Sequence, residues 1–342
     1  MKTLKVCAIC LAAVLAIISP FAIVIGAVTL TPAQYSNSFV GALNEKYDRL
    51  HSINEPKLVV LGGSSVVFGV DSEIIEKYTG MPVVNFGLYA ALGTKLMLDL
   101  SRSAIGEGDV VVLSPELDPQ TMSLYFSAEQ TLRALDDDFS MFRDIDSENR
   151  LSLLGGMWRF ATDKLELLRT GRVIDPPGVY NAKNIDGRGD LTYPTPENVM
   201  PEYYDSNKRI TLTEDILDSE FIDYLNDYIA YCEGRGATVL FAYCPMNERA
   251  LVRPYSDEAM NTEARREFHG YLSSVIKCEV IGNIEEAVMD AAYFYDSNFH
   301  LNDAGRRTRT IWLTEDILSA MNIDASVEEE LPEKPALPSL DS

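Results

Sequence analysis

The chain has 342 residues and carries 29 basic against 52 acidic side chains, a net charge of -23. That balance argues against binding nucleic acid or anionic lipid through a basic face, since either needs Lys and Arg gathered on one side, and we read the acidity as a source of solubility. The length suffices for one α/β domain of about 250 residues with an anchor and a tail, without a second core.

Residues 6–30 hold about 25 positions without a charge, enough to cross a hydrocarbon layer of about 30 Å as one helix that Pro20 kinks. Lys2 and Lys5 precede it and no basic residue follows until Lys46, which predicts a cytoplasmic N-terminus and an exported remainder at the cell membrane. A cleaved signal peptide is the rival, but its apolar core usually runs about 7–15 residues and no strong small-x-small cleavage site follows, so residues 1–30 are expected to be an uncleaved, single-pass anchor. Residues 31–56 read as a stalk.

From residue 57 to 323, apolar β-branched runs alternate with amphipathic ones, the pattern of a parallel sheet covered on both faces in three α/β/α layers. Strands are expected at 57–61, 82–86, 109–113, 237–243 and 279–281, and helices at 72–79, 94–105, 213–235, 257–277 and 303–321. The stripe Ile216, Phe221, Tyr224, Leu225 and Tyr228 reads as a face packed on the sheet. The hexapeptide Leu-Thr-Glu-Asp-Ile-Leu occurs at 212–217 and 313–318, which we take as coincidence.

Residues 118–210 exceed what a minimal sheet needs. They hold a helical piece over 151–169 and a Gly-, Pro- and Asn-rich loop over 175–201, and an insertion after a strand end is expected to lie over the active site as a lid or acceptor surface. Trp158, Tyr180, Tyr193, Tyr203 and Tyr204 read either as sugar-stacking platforms or as a packing cluster. Residues 324–342 are acidic and proline-rich, with no apolar period, and read as a disordered tail.

Cys7 and Cys10 fall in the membrane segment, and Cys232, Cys244 and Cys278 read as buried small hydrophobes. Scattered cysteines and histidines give no ligand spacing, so no metal or other cofactor is expected.

Among only three histidines, His51 lies near the membrane segment and His269 in a helical run. His300 differs: its run, 295–305, reads Tyr-Asp-Ser-Asn-Phe-His-Leu-Asn-Asp-Ala-Gly, with a carboxylate before it and a helix start after it. A histidine, with an unperturbed pKa of about 6.5, is the commonest base for attack near neutral pH. The group it would activate lies in the run 57–69, Lys-Leu-Val-Val-Leu-Gly-Gly-Ser-Ser-Val-Val-Phe-Gly, which reads as a buried strand, a tight Gly-Ser turn and a helix start at Asp71, Ser72 and Glu73. Open α/β sheets place their chemistry at such strand ends.

The run 63–69, Gly-Ser-Ser-Val-Val-Phe-Gly, resembles the Gly-Asp-Ser-x-x-x-Gly first block of the SGNH (GDSL-like) hydrolases, with Ser64 in place of Asp. Residues 296–300 resemble their last block. The resemblance spans roughly residues 57–320, with motif-level matches only at its two ends, and implies a flavodoxin-like SGNH fold. It makes Ser65 the nucleophile, His300 the base and Asp296 the group that orients the imidazole. Two departures stand out: Asp296 is four residues before His300 where the family has three, and the strand at 109–113 runs into Ser-Pro-Glu-Leu-Asp where the family has an oxyanion-hole Asn. Asn85 and Gly87, after the second strand, and Asn247, after the fourth, are candidate substitutes; each also reads as a turn residue closing a strand.

The Gly-Ser-Ser variant, together with an N-terminal membrane segment, is similar to the membrane-anchored envelope families of D-alanyl transfer and alginate O-acetylation. This resemblance implies an extracytoplasmic serine acyl esterase or O-acyltransferase, taking an acylated glycan or acyl carrier and working beside a membrane-bound O-acyltransferase. The alternatives are a non-catalytic scaffold that binds such an acyltransferase, and a glycan-binding module. The cluster Arg306, Arg307 and Arg309 reads as a basic patch that would offset the acidity for an anionic substrate.

Overall fold

The structure, a computed structural model, describes residues 2–337, so the end of the expected tail, 338–342, lies outside the described residues. In chain order the elements are α1 (Lys2–Thr29), α2 (Leu43–Ser52), β1 (Leu58–Gly62), α3 (Ser64–Gly69), α4 (Ser72–Thr79), β2 (Val83–Gly87), α5 (Thr94–Arg102) and β3 (Val110–Ser114). The insertion carries α6 (Ala128–Ala134) and α7 (Ser147–Thr170). There follow α8 (Ser219–Glu233), β4 (Thr238–Ala242), β5 (Met246–Asn247), α9 (Thr262–Val275), β6 (Glu279–Ile281), α10 (Ile284–Ala287), β7 (Val288–Met289), β8 (Phe294–Ser297), β9 (His300–Leu301) and α11 (Asp303–Ala320).

Five strands form one parallel sheet in the order β2-β1-β3-β4-β6. Every residue of β1, β2 and β3 is buried, as the near-continuous apolar runs require when helices cover both faces. Alternate side chains feed two layers. Val59, Leu61, Val84, Phe86, Val111, Leu113 and Phe241 pack with α2, α5 and α8, whereas Leu58, Val60, Val83, Val110, Val112 and Leu240 pack with α4 and α11. The winding reverses between β1 and β3, so their carboxyl ends flank a crevice, the place where open sheets of this kind bind ligands.

α4 illustrates the local logic. Asp71 caps it by accepting from Glu73 N, and Gly80 closes it at φ 68°, a left-handed conformation that glycine adopts without strain. Gly87 is demanded by packing instead: a Cβ there would stand 2.4 Å from Val66 Cβ and 2.7 Å from Gly63 O. Gly87→Ala is therefore expected to destabilise the fold by about 1–3 kcal/mol through overpacking, measurable by equilibrium denaturation.

α1 is long and apolar enough to serve as a membrane anchor or a signal sequence. Its outer length is exposed, while its last turns enter the domain: Val28 is buried, Val24 and Ile25 pack on the core, and Phe21 meets Trp158 of α7 edge to face at 5.1 Å. An ion pair with both side chains buried fixes this exit. Lys164 Nζ on α7 donates to Asp136 Oδ1 at 2.5 Å and to Thr31 O at 3.2 Å, and Asp136 Oδ2 accepts from the amides of Gln34 and Tyr35.

Residues 31–56 are not a free stalk. A 3-10 turn (Phe39–Ala42) and α2 bury Phe39, Val40, Leu43, Tyr47 and Leu50 in the main core. The length and turn residues of this stretch concealed an amphipathic helix of only 10 residues. The helix expected from residue 213 starts later, at Ser219, because residues 214–216 form a 3-10 turn and Asp218 caps α8. Described tail residues have no regular structure but are tied down: Glu329 pairs with Lys77 at 2.6 Å and with Arg307, and Lys334 pairs with Asp290.

Candidate active site

Two chain segments 236 residues apart meet at the C-terminal end of β1. Gly62 ends the strand and Gly63 stands as the N-cap of α3, which begins at once with Ser64; the expected tight Gly-Ser turn is thus the first turn of a helix. From the other side comes the β8-β9 hairpin, in which Ser297 pairs with His300 and Phe294 with Leu301. The register slips between those pairs, so Tyr295 and Asp296 bulge out of the ladder. This bulge turns Asp296 toward the imidazole and accommodates a separation of four residues.

His300 Nδ1 lies 2.7 Å from Asp296 Oδ1, and His300 Nε2 lies 2.8 Å from Ser64 Oγ. With Nδ1–H donating to Asp296, Nε2 is free to accept the Ser64 proton, the arrangement of a serine-histidine-aspartate relay. The serine at the histidine is therefore Ser64, not Ser65. Ser65 Oγ is buried and has no hydrogen-bond partner, because the second position of α3 turns the side chain away from the hairpin.

Burial tends to push the Asp296 carboxyl up, but hydrogen bonds from His300 and Tyr180 outweigh it and hold Asp296 below the usual carboxylate range. Tyr180, from the insertion, donates to Asp296 Oδ2 at 2.6 Å. Tyr180→Phe is expected to lower any His300-dependent rate by about tenfold, the effect of losing one hydrogen bond to a charged group, without unfolding the protein. Steady-state kinetics alongside a circular dichroism spectrum would check it.

Phe68, one helical turn after Ser64, stacks on the His300 ring at 4.1 Å between centroids and 6° between planes. Asn302 caps α11 through Gly305 N, and its amide nitrogen donates to Ala292 O and Phe294 O, holding the hairpin to the helix. Asn298 at the hairpin tip bonds Asp205 and Lys208 of the insertion.

The site opens into a cavity of about 910 Å³ whose lining includes Ser64, Glu116, Asp296 and His300. Its walls combine Tyr35, Ser38, Phe39 and Val40, just past α1, with Tyr89, Arg133, Ile174, Tyr180, Lys208 and Arg209. The insertion does form part of this wall, as its position after β3 implies. Its aromatics form no single platform: Tyr180 faces the cavity, Trp158 packs on Phe21, and Tyr203 and Tyr204 lie under Arg249 and Arg209.

Neither protein-family models nor curated protein sequences match this chain.

The three candidate oxyanion groups do not line the cavity. Asn85 is fully buried under the insertion, where its amide donates to Asp190 and Val66 O, and Lys46 Nζ donates to its carbonyl. Burial drives that lysine down to about 7 against the opposing pull of Asp190 and Asp186. Gly87 N donates to Asn85 Oδ1, and Asn247 is occupied by Tyr203 O and Arg249 N. The arginines read as a patch are dispersed, with Arg306 on Leu191 O, Arg307 on Glu329 and Arg309 buried against Tyr243 O.

Sequence reasoning passed over one residue of the centre. Glu116, two residues past β3, is buried, and its Oε1 accepts from Ser65 N at 2.8 Å and lies 3.1 Å from Ser64 Oγ. A Cβ on Gly63 would meet this carboxyl at 2.7 Å, so the glycine is what lets Glu116 approach. The available signal was the Ser-Pro-Glu-Leu-Asp turn itself, an acidic residue where an amide was sought.

Proposed function

We propose that the protein is a membrane-anchored, extracytoplasmic serine acyl esterase or O-acyltransferase of the SGNH type. The observation that carries this reading is the relay Ser64, His300 and Asp296 lining a cavity large enough for a substrate of several hundred Å³. The strand order β2-β1-β3-β4-β6 supports it, being the 2-1-3-4-5 order of flavodoxin-like sheets when the five strands are numbered in sequence. Ser64 attacks an acyl carbonyl, His300 takes its proton, and water or a sugar hydroxyl receives the acyl group. Cavity aromatics suit an acylated glycan or acyl carrier, and Tyr35, six residues beyond α1, puts the cavity wall close to the anchored end. The balance of Lys2 and Lys5 in the first turns of α1 against no basic residue directly after it supports an exported domain.

A non-catalytic partner of a membrane-bound O-acyltransferase is the second reading. It draws on the three oxyanion candidates lying away from the cavity. A fluorophosphonate probe and an acetyl ester, applied to the full chain in detergent, separate the two: covalent labelling that disappears in Ser64→Ala and His300→Ala is expected. A wild-type protein inert to both reagents would leave the scaffold.

A further inference from the structure

We propose that Glu116 is a catalytic residue of this centre: bearing a proton, it donates to the acyl oxygen beside the Ser65 amide, where an amide side chain had been sought. The inference rests on the reading of Ser64 as nucleophile. Its basis is the count of hydrogens around Ser64 Oγ, which has one to give and two neighbours, His300 Nε2 at 2.8 Å and Glu116 Oε1 at 3.1 Å. Attack requires the hydroxyl hydrogen to point at His300, whose other nitrogen is committed to Asp296. The contact with Glu116 then sets two lone pairs against each other unless the hydrogen comes from Glu116. A neutral Glu116 completes the chain from Glu116 through Ser64 and His300 to Asp296 with every group satisfied and no unpaired buried charge.

The surroundings agree. Glu116 is buried, and burial raises it above the ordinary carboxylate range; His300 and the Ser65 amide pull it down, and Asp118 pushes it up. The groups facing it are His300 from β9, Ser64 and Ser65 from α3, Asp118 from its own loop and the Cys244 thiol beyond β4, itself raised by burial. Ser64 and Glu116 follow β1 and β3, neighbouring strands in register, so both reach the same crevice.

In the step itself, Ser64 Oγ bonds the acyl carbon, its proton passes to His300 Nε2, and the carbonyl π pair becomes a lone pair on oxygen. That oxyanion displaces Glu116 Oε1 from Ser65 N–H and accepts from both the amide and the Glu116 O–H. When the pair returns, the bond to the leaving oxygen breaks and His300 gives that oxygen its proton.

The test compares Glu116→Gln, which keeps a neutral donor, with Glu116→Ala, on full-length protein in detergent. Acetyl-ester turnover is expected to fall by about 100- to 1000-fold in the alanine variant, the usual loss of an oxyanion donor, and by less than about tenfold in the glutamine variant. Wild-type activity should decline with rising pH as Glu116 loses its proton, and that limb should be missing in Glu116→Gln. Near-ultraviolet circular dichroism establishes that both variants are folded. Faster turnover in Glu116→Ala would overturn the proposal, since the carboxyl would then be an obstruction; so would a glutamine variant as slow as the alanine one. Probe labelling that survives in Ser64→Ala, or a wild type that neither turns over ester nor labels, would remove the nucleophile reading and this inference with it, whereas labelled wild type with unaffected Glu116 variants removes this inference alone.

Discussion

Replacing Ser64 with alanine is expected to lower ester turnover by on the order of 10⁶-fold, the loss found when the serine of an established triad is removed, whereas Ser65→Ala should retain most of it. The asymmetry follows from geometry: Ser64 Oγ is 2.8 Å from His300 Nε2, while Ser65 Oγ is buried with no polar partner. An alanine at Ser65 keeps the backbone amide that bonds Glu116 and removes only an unsatisfied hydroxyl, a change of small or favourable effect on stability. Measured kcat for the two variants, together with mass-spectrometric mapping of the probe adduct, decides the matter. An adduct on Ser65 in the wild type would refute the assignment to Ser64.

The second large effect concerns the residues where α1 enters the domain. Asp136→Ala should destabilise the protein by about 3–5 kcal/mol, because it leaves the Lys164 ammonium buried without its counter-charge and strips the amides of Gln34 and Tyr35 of their acceptor. A double variant, Asp136→Leu with Lys164→Met, removes both charges and should recover much of that loss. Equilibrium denaturation of the detergent-solubilised chain gives both numbers. A loss below about 1 kcal/mol in the single variant, the range of exposed pairs, would mean that water reaches the pair.

The sheet was readable because its strands are apolar runs with glycine or proline at their borders, and each of the five expected runs coincides with a strand to within a residue or two. The centre was readable in part. His300 and Asp296 stand together as their spacing in one short run suggests, but which serine joins them depends on where a helix begins. Gly62 and Gly63 left that start open by one residue, and one residue on a helix rotates a side chain by about 100°. Asn85 looked like a free polar group at a strand end, since nothing local announces that Asp190, about a hundred residues later, will claim its amide. The repeated hexapeptide makes the same point: residues 212–217 hold a 3-10 turn and residues 313–318 lie in α11, so identical sequence took its shape from what packs against it.

Ser64 and Phe68 sit on one face of α3, a turn apart, and between them they touch both the reactive edge and the flat face of His300. The short helix is thus at once the carrier of the hydroxyl and the bearing on which the imidazole rests. Both contacts belong to one short helix, so a displacement of α3 moves the hydroxyl and the stacking ring together. Phe68→Ala would keep the hydroxyl on its helix but remove the ring beneath the imidazole and leave a cavity there.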